Sequence, residues 1–277
     1  MLITFAARIG LSKGETVRLS LMSAGVWWGG WGLFSLRFLH ARPPSRALAP
    51  DRNWVLAGFS ENAFAVGQLR RLPQTVRYLL AYTLYNDGIQ TVLGLSSVFL
   101  AQELFSPAQR AAGDDTVFLT GLILMVQFVA FFGATGFERR ARRIGPKDAV
   151  LASLVVWCAI VVYAYALLNT TTQALGMGAS IAVVLGGSRA LSRSLFSRVI
   201  PPGQEATYFG VYEISERGTS WIGPQIFALV VASTGSYRDA ILSLMARFVT
   251  GTIMLFLTDI RQAEADVLEL AASTEPA

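Results

Sequence analysis

The chain has one cysteine and one histidine, and its only lysines are Lys13 and Lys147. Cys158 lies inside an apolar run, so neither an intrachain disulfide nor a thiolate metal site can form. His40 alone cannot supply a pair of imidazole ligands. It reads as a solvated interfacial residue, with a proton relay as the alternative. Charge is also scarce. Only 15% of the residues are charged, where a soluble domain carries about a quarter. There is no Gly-rich phosphate loop with a lysine, no histidine pair for a metal and no nucleophile elbow, so the sequence indicates neither an enzyme nor a cofactor. The apolar segment of the N-terminal MLITFAARIGLSKGE is too short for a signal peptide.

Apolar runs dominate what remains. Of 277 residues 53% are hydrophobic, the mean hydropathy is +0.48, and the charges cluster between the runs. This pattern indicates an all-α, polytopic membrane helix bundle. The net charge of +5 is no nucleic-acid signal, because the basic residues sit in short loops.

A span needs about 20 apolar residues, and seven candidates meet that length. The first is Thr16 to Leu39, in residues 1–40, whose VWWGGWGLF suits close packing and an interfacial aromatic belt with Trp27, Trp28 and Trp31. A polar linker, 41–75, carries Pro43, Pro44, Pro50 and Pro73, and within it Trp54 to Leu72 is predicted as an amphipathic surface helix. Six further spans fill 76–258. They are Val76 to Leu100, Thr116 to Phe137, Ala149 to Leu168, Ala174 to about Val199, about Ala206 to Ser233, and Tyr237 to Thr258. A polar, frayed tail, 259–277, follows.

Loop charge orients the spans. The linker carries Arg42, Arg46, Arg52, Arg70 and Arg71. The loop after the third span carries Arg139, Arg140, Arg142, Arg143 and Lys147. Arg198 and Arg261 fall on the same side by parity, which the positive-inside rule makes cytoplasmic. The other side has little beyond Arg110 and Arg238. Arg8 and Lys13 run against this, one sign that the chain starts in an unnatural place.

Polar residues within apolar spans are costly and mark sites by default. Thr83, Asn86, Asp87, Gln90 and Gly94 share one face of the second span. Asp87 and Asn86 are candidates for a solute, ion or proton site, the alternative being an ion pair with an arginine such as Arg189. Gln127, expected to be buried in the third span, reads as an interhelical hydrogen-bond partner or a cavity residue. Arg189, Ser192 and Arg193 share a face of the fifth span. Glu213 and Glu216, near Tyr212 and Ser220, share a face of the sixth. A tight Pro201-Pro202-Gly203 turn joins the two helices, so an Arg–Glu network between them is expected, as a cytoplasmic gate or as direct solute contacts. Arg247 lies near the middle of the seventh span, to pair inward or sit at the interface.

LLAYTLYNDGIQTV (Leu79 to Val92) resembles the seventh-helix motif of one branch of the major facilitator superfamily. GGSRALSRSLFSRVIPPGQEATYFGVYEISERGTSWIGP (Gly186 to Pro224) resembles the tenth-to-eleventh-helix region of the same branch, the autophagy-related, vacuolar-effluxer-like family. The resemblance runs from about Trp27 to Asp259. It implies that the seven spans are the sixth to twelfth helices of a twelve-helix fold: the C-terminal six-helix half plus one preceding helix. It also implies alternating-access transport of a small solute, an amino acid being the suggested class, with a coupling proton or cation as a further partner and a bacterial inner membrane as the location. Asn86, Asp87 and Gln90 would line the cavity, and Arg189, Arg193, Glu213 and Glu216 would bind solute or close a gate. One half alone would leave its polar stripe facing lipid. A separate N-terminal half, self-association or a truncated gene product is therefore expected. A non-transporting assembly or regulatory protein of the same fold is the other class of reading. The family pattern has an Asp before the Arg-Ile-Gly run of the loop after the third span. Here that place holds Arg142, which puts the loop's usual latch in doubt.

Overall fold

The computed structural model describes residues 12–39 and 54–274. His40, the linker prolines Pro43, Pro44 and Pro50, Arg8, Arg42, Arg46 and Arg52 lie outside them. Among the described residues every regular element is a helix. The chain divides into two units, Met1–Pro50 and Asp51–Ala277.

In the first unit, α1 spans Lys13–Phe38. Ser12 and Glu15 open it with a reciprocal capping box, which satisfies two of the free N–H groups of the first turn. Trp27, Trp31, Phe34 and Phe38 pack edge-to-face or tilted along one face with centroids 5.8, 5.5 and 4.8 Å apart. All four rings are exposed within this unit, as suits side chains that meet lipid or other helices.

The second unit contains α2 (Trp54–Leu69), α3 (Pro73–Leu104), the short α4 (Pro107–Ala112), α5 (Asp114–Ile144), α6 (Pro146–Ala166), α7 (Thr171–Phe196), α8 (Glu205–Thr219), α9 (Ile222–Thr234), α10 (Tyr237–Ser243), α11 (Met245–Leu257) and α12 (Ile260–Thr274). The 32-residue α3, roughly 48 Å long at 1.5 Å per residue, is the hub and touches α2 and α7 to α12. The largest fully buried side chains, among them Tyr78, Tyr85, Phe99, Trp157, Phe196, Tyr212 and Phe248, gather around it.

α5, α6, α7 and the α10–α11 run are long and apolar enough to cross a membrane. The other expected spans fall short of that mark. α3 carries its polar face, α8 and α9 are individually short, and α1 is diluted by glycine and tryptophan. Phe128, Phe131 and Phe132 of α5 and Phe256 of α11 are among the exposed apolar side chains, which is the surface that lipid requires.

α5 and α7 meet through small residues. A Cβ at Gly133 would lie 2.6 Å from Val183 Cα, and one at Gly186 would lie 2.9 Å from Ala130 O. Without the glycines the two backbones could not come this close, and close packing is the main attraction between helices in lipid. Gly133→Leu is therefore expected to lower the thermal stability of the solubilised protein by about 1–3 kcal/mol or more through overpacking. Gly121→Leu on the same helix, where a Cβ meets nothing within 4 Å, should melt as the unaltered protein does. Equal melting of the two variants would contradict the close-packing account.

Three differences from the sequence reading have physical causes. The sixth span is kinked: α8 ends at Thr219, α9 starts at Ile222, and Ser220 and Trp221 between them keep right-handed angles. Pro224 has no N–H for the carbonyl one turn back and crowds it, so the regular ladder stops there. Thr219 Oγ1, Ser220 Oγ and Trp221 Nε1 donate to the carbonyls of Ser215, Arg217 and Gly218 at 2.8–2.9 Å. The seventh span is likewise resolved into α10 and α11, divided at Leu244. The tail is not frayed but forms α12, with Ala263, Val267 and Leu270 turned to the core. Asp259 Oδ1 accepts from the N–H groups of Arg261 and Gln262 at 2.9 and 3.1 Å, an N-cap for that helix. Lys147 Nζ donates to the carbonyls of Phe256 and Thr258 at 2.9 and 2.7 Å, and Arg77 donates to that of Leu257 at 3.0 Å. These cations neutralise the negative end of α11 and fix the start of α12.

At the opposite end, Arg238 of α10 pairs with Glu103 of α3 at 2.7 Å and donates to the Tyr165 carbonyl at the end of α6 at 2.9 Å.

Candidate translocation site

The site is built from the middle of α3 outward. α11 lies against α3 through glycines on both helices. A Cβ at Gly251 would lie 3.0 Å from Tyr85 Cβ, and one at Gly88 would lie 3.1 Å from the Phe248 ring. Phe248 in turn stacks on Trp157 of α6, centroids 5.9 Å apart. This close approach sets Arg247, next to Phe248, against Asp87, next to Gly88. Arg247 Nη1 donates to Asp87 Oδ2 in a salt bridge. The Asp87 side chain is 1% exposed and that of Arg247 12%. On its other oxygen Asp87 accepts the Gly223 N–H at 3.4 Å, a donor from the first turn of α9 that the kink leaves free. Thr91 Oγ1 donates to the Asp87 carbonyl at 2.7 Å. Asn86, the neighbouring residue, is also buried.

Glu216 organises a second group. It accepts from Tyr82 Oη at 2.6 Å and from Gln90 Nε2 at 3.3 Å. Arg189 Nη2 donates to Gln90 Oε1 at 2.6 Å. Gln90 thus links a carboxylate on α8 to a guanidinium on α7. Tyr82 stacks on Tyr212 at 4.2 Å, and Tyr212 on Phe196 at 4.8 Å. The Tyr212 hydroxyl is buried. Below the tyrosines, Tyr85 Oη and Ser192 Oγ lie 2.7 Å apart, and Tyr78 Oη donates to the Ser192 carbonyl at 2.7 Å.

A third group is the most exposed. Glu213 pairs with Arg193 at 2.9 Å and with Arg217 at 3.4 Å, and the two arginine side chains are 55% and 84% exposed. The Arg193 guanidinium also sits 5.3 Å from the Phe209 ring centroid and 5.8 Å from that of Tyr212. The three groups form a polar track whose exposure rises from the α3–α11 ion pair to the α7–α8 arginines.

Eight of the nine expected site residues therefore lie on or beside one track: Asn86, Asp87, Gln90, Arg189, Arg193, Tyr212, Glu213 and Glu216. Gln127 does not. Its side chain is exposed on α5 rather than buried between helices. The partner of Asp87 is Arg247, not Arg189. Arg189 is exposed and bonds Gln90, so the expected Arg–Glu network reduces to Arg193, Glu213 and Arg217. Sequence reasoning assigned no site role to Tyr82 or Gly223. The YxxxxD spacing gives no sign of the tyrosine's role, whereas the Gly-Pro pair at 223–224 was a visible mark of the kink.

A family model for vacuole effluxer Atg22-like proteins matches residues 1–268. The chain is 26% identical over 96% of its length to the uncharacterized MFS-type transporter YxiO of Bacillus subtilis, covering 61% of that protein. It is 26% identical to Autophagy-related protein 22-1 of Neosartorya fischeri and 22% identical to Autophagy-related protein 22 of Vanderwaltozyma polyspora, covering 94% and 92% of this chain and 45% and 53% of theirs. The chain thus spans about half the length of the curated relatives it matches. With its all-helical architecture and its apolar spans, it is an integral multi-pass membrane protein, and it belongs to the vacuole effluxer Atg22-like family.

Proposed function

We propose that the chain is the C-terminal half, with one preceding helix, of a secondary transporter that moves a small solute by alternating access. In this reading α1, α3, α5, α6, α7, the α8–α9 pair and the α10–α11 pair are seven spans, the Arg139–Lys147 loop is cytoplasmic, and the host membrane is the cell membrane of a bacterium. The observation that carries it is the polar track. Partly buried polar groups such as Gln90 and Glu216 lie alongside a buried ion pair near the middle of α3. In hydrocarbon such groups cost several kcal/mol unless they face water or protein. A water-filled path closed by the N-terminal helices of the longer relatives, or by a separate half, accounts for them. The names of the relatives, transporter and autophagy-related protein, agree with this use.

An amino acid suits the chemistry of the second group. Gln90 holds Glu216 and Arg189 close together, so a zwitterion could replace Gln90 by meeting a carboxylate and a guanidinium at once. Asp87 is the group that a coupling proton or cation would meet. The test is uptake of a radiolabelled amino-acid mixture into vesicles carrying the complete transporter. Glu216→Gln and Gln90→Ala are expected to lower initial flux at least tenfold at equal membrane abundance. Flux within twofold of the unaltered protein in both variants would overturn the assignment of this track.

A further inference from the structure

One face of α5 changes character along its length. Gly133 and Gly136, with Val129 above them and Phe132 and Phe137 beside them, line an apolar groove of about 480 Å³ whose other walls are Ala152 and Val156 of α6 and Val183 of α7. Gly136 also lines a neighbouring cavity of about 360 Å³, together with Arg139, Arg143 and Ile144. Positions 129, 133, 136, 139 and 143 are three or four apart and so share one helix face. The groove and the arginine cavity are therefore continuous through Gly136, where a Cβ would meet nothing within 4 Å.

The arginines differ in how they are engaged. Arg142 is paired with Glu138 at 2.7 Å. Neither Arg139 nor Arg143 has a carboxylate of a described residue within salt-bridge distance, and both are exposed. An apolar slot about 10 Å long, at 1.5 Å per residue, thus opens onto two guanidiniums that no described carboxylate approaches within salt-bridge distance. That is the depth order of a phospholipid, with its acyl chain in the hydrocarbon and its phosphate at the interface. Guanidinium groups bind phosphate oxygens in bidentate fashion, and basic pockets between helices on the cytoplasmic side suit anionic headgroups. We propose that this face of α5 is a binding site for an anionic diacyl phospholipid of the bilayer, with an acyl chain in the α5–α6–α7 groove and the phosphate on Arg139 and Arg143. None of these residues belongs to the polar track, so the site is separate from the solute path.

The test uses the 277-residue chain in detergent and counts bound lipid by native mass spectrometry. Dioleoyl phosphatidylglycerol is expected to bind at least tenfold more tightly than dioleoyl phosphatidylcholine. Arg139→Gln with Arg143→Gln should weaken phosphatidylglycerol binding about twenty-fivefold, at about fivefold per arginine near the membrane surface, and leave phosphatidylcholine unchanged. Arg142→Gln should change either lipid less than twofold. Gly136→Phe, which fills the junction, should weaken both. Equal binding of the two lipids by the unaltered chain overturns the proposal, as does an anionic preference that survives the double arginine change. Competition by glycerophosphoglycerol, which has the headgroup and no acyl chains, would replace the lipid site by a bare phosphate site and also overturn it.

Discussion

Arg247→Gln is expected to destabilise the protein more than any other single removal of an arginine from the polar track. The change leaves Asp87, 1% exposed, without its cation. Breaking a buried ion pair by removing one partner costs about 3–5 kcal/mol, because the remaining charge stays buried and unpaired. A folded protein has only about 5–15 kcal/mol in hand. Arg193 and Glu213 have the same chemistry, but their side chains are 55% and 35% exposed, where an ion pair contributes about 0–1 kcal/mol. Burial therefore decides the ranking, not the number of pairs. Asp87→Asn with Arg247→Gln removes both charges and should recover most of the lost stability. The check is melting of the solubilised protein, with membrane abundance measured in parallel. An Arg247→Gln variant that melts with the unaltered protein, or a double variant as unstable as the sum of the singles, would show that the two groups do not stabilise each other.

That pair also marks where the sequence stops being informative. The face shared by Asn86, Asp87 and Gln90 was legible, because residues three and four apart share a helix side and a polar group in an apolar run must turn inward. The identity of the partner was not. Arg247 is 160 residues away, and it meets Asp87 only because Gly88 and Gly251 let α3 and α11 approach. Gln127 failed for the opposite reason. α5 is apolar nearly all round, so no periodicity separates its packed face from its outer face. The tail was misread on composition, although Ala263, Val267 and Leu270 stand at the spacing of one helix face. Arg193 and Glu213 could be matched because a short turn joins their helices, and local connection limits the possible pairings.

Gly223→Ala is expected to have the largest effect of any single added methyl group on α8 and α9. A Cβ there would lie 2.7 Å from Asp87 Oδ2 and still nearer to Thr91 Oγ1. Both atoms are buried: Thr91 Oγ1 is held by the Asp87 carbonyl and Oδ2 by Arg247. Neither can move without giving up a bond, so α9 must shift and weaken the contact of its Gly223 N–H with Asp87. Overpacking of this kind costs about 1–3 kcal/mol. Gly218→Ala, one residue before the end of α8, is the control. A Cβ at Gly218 meets nothing within 4 Å, and alanine in place of a helical glycine is neutral or stabilising by about 0.5–1 kcal/mol. Thr91→Ala removes the nearest clashing atom. Combined with Gly223→Ala it should melt above Gly223→Ala alone, with a coupling of about 1 kcal/mol or more, as expected for residues in contact. If Gly223→Ala is tolerated as well as Gly218→Ala, the kink does not seat α9 against Asp87. If Thr91→Ala gives no rescue, the damage arises elsewhere than at the α3–α9 contact. The predicted pattern, a large loss at 223, none at 218 and recovery through 91, would tie the geometry of the kink to the buried carboxylate on which the proposed path depends.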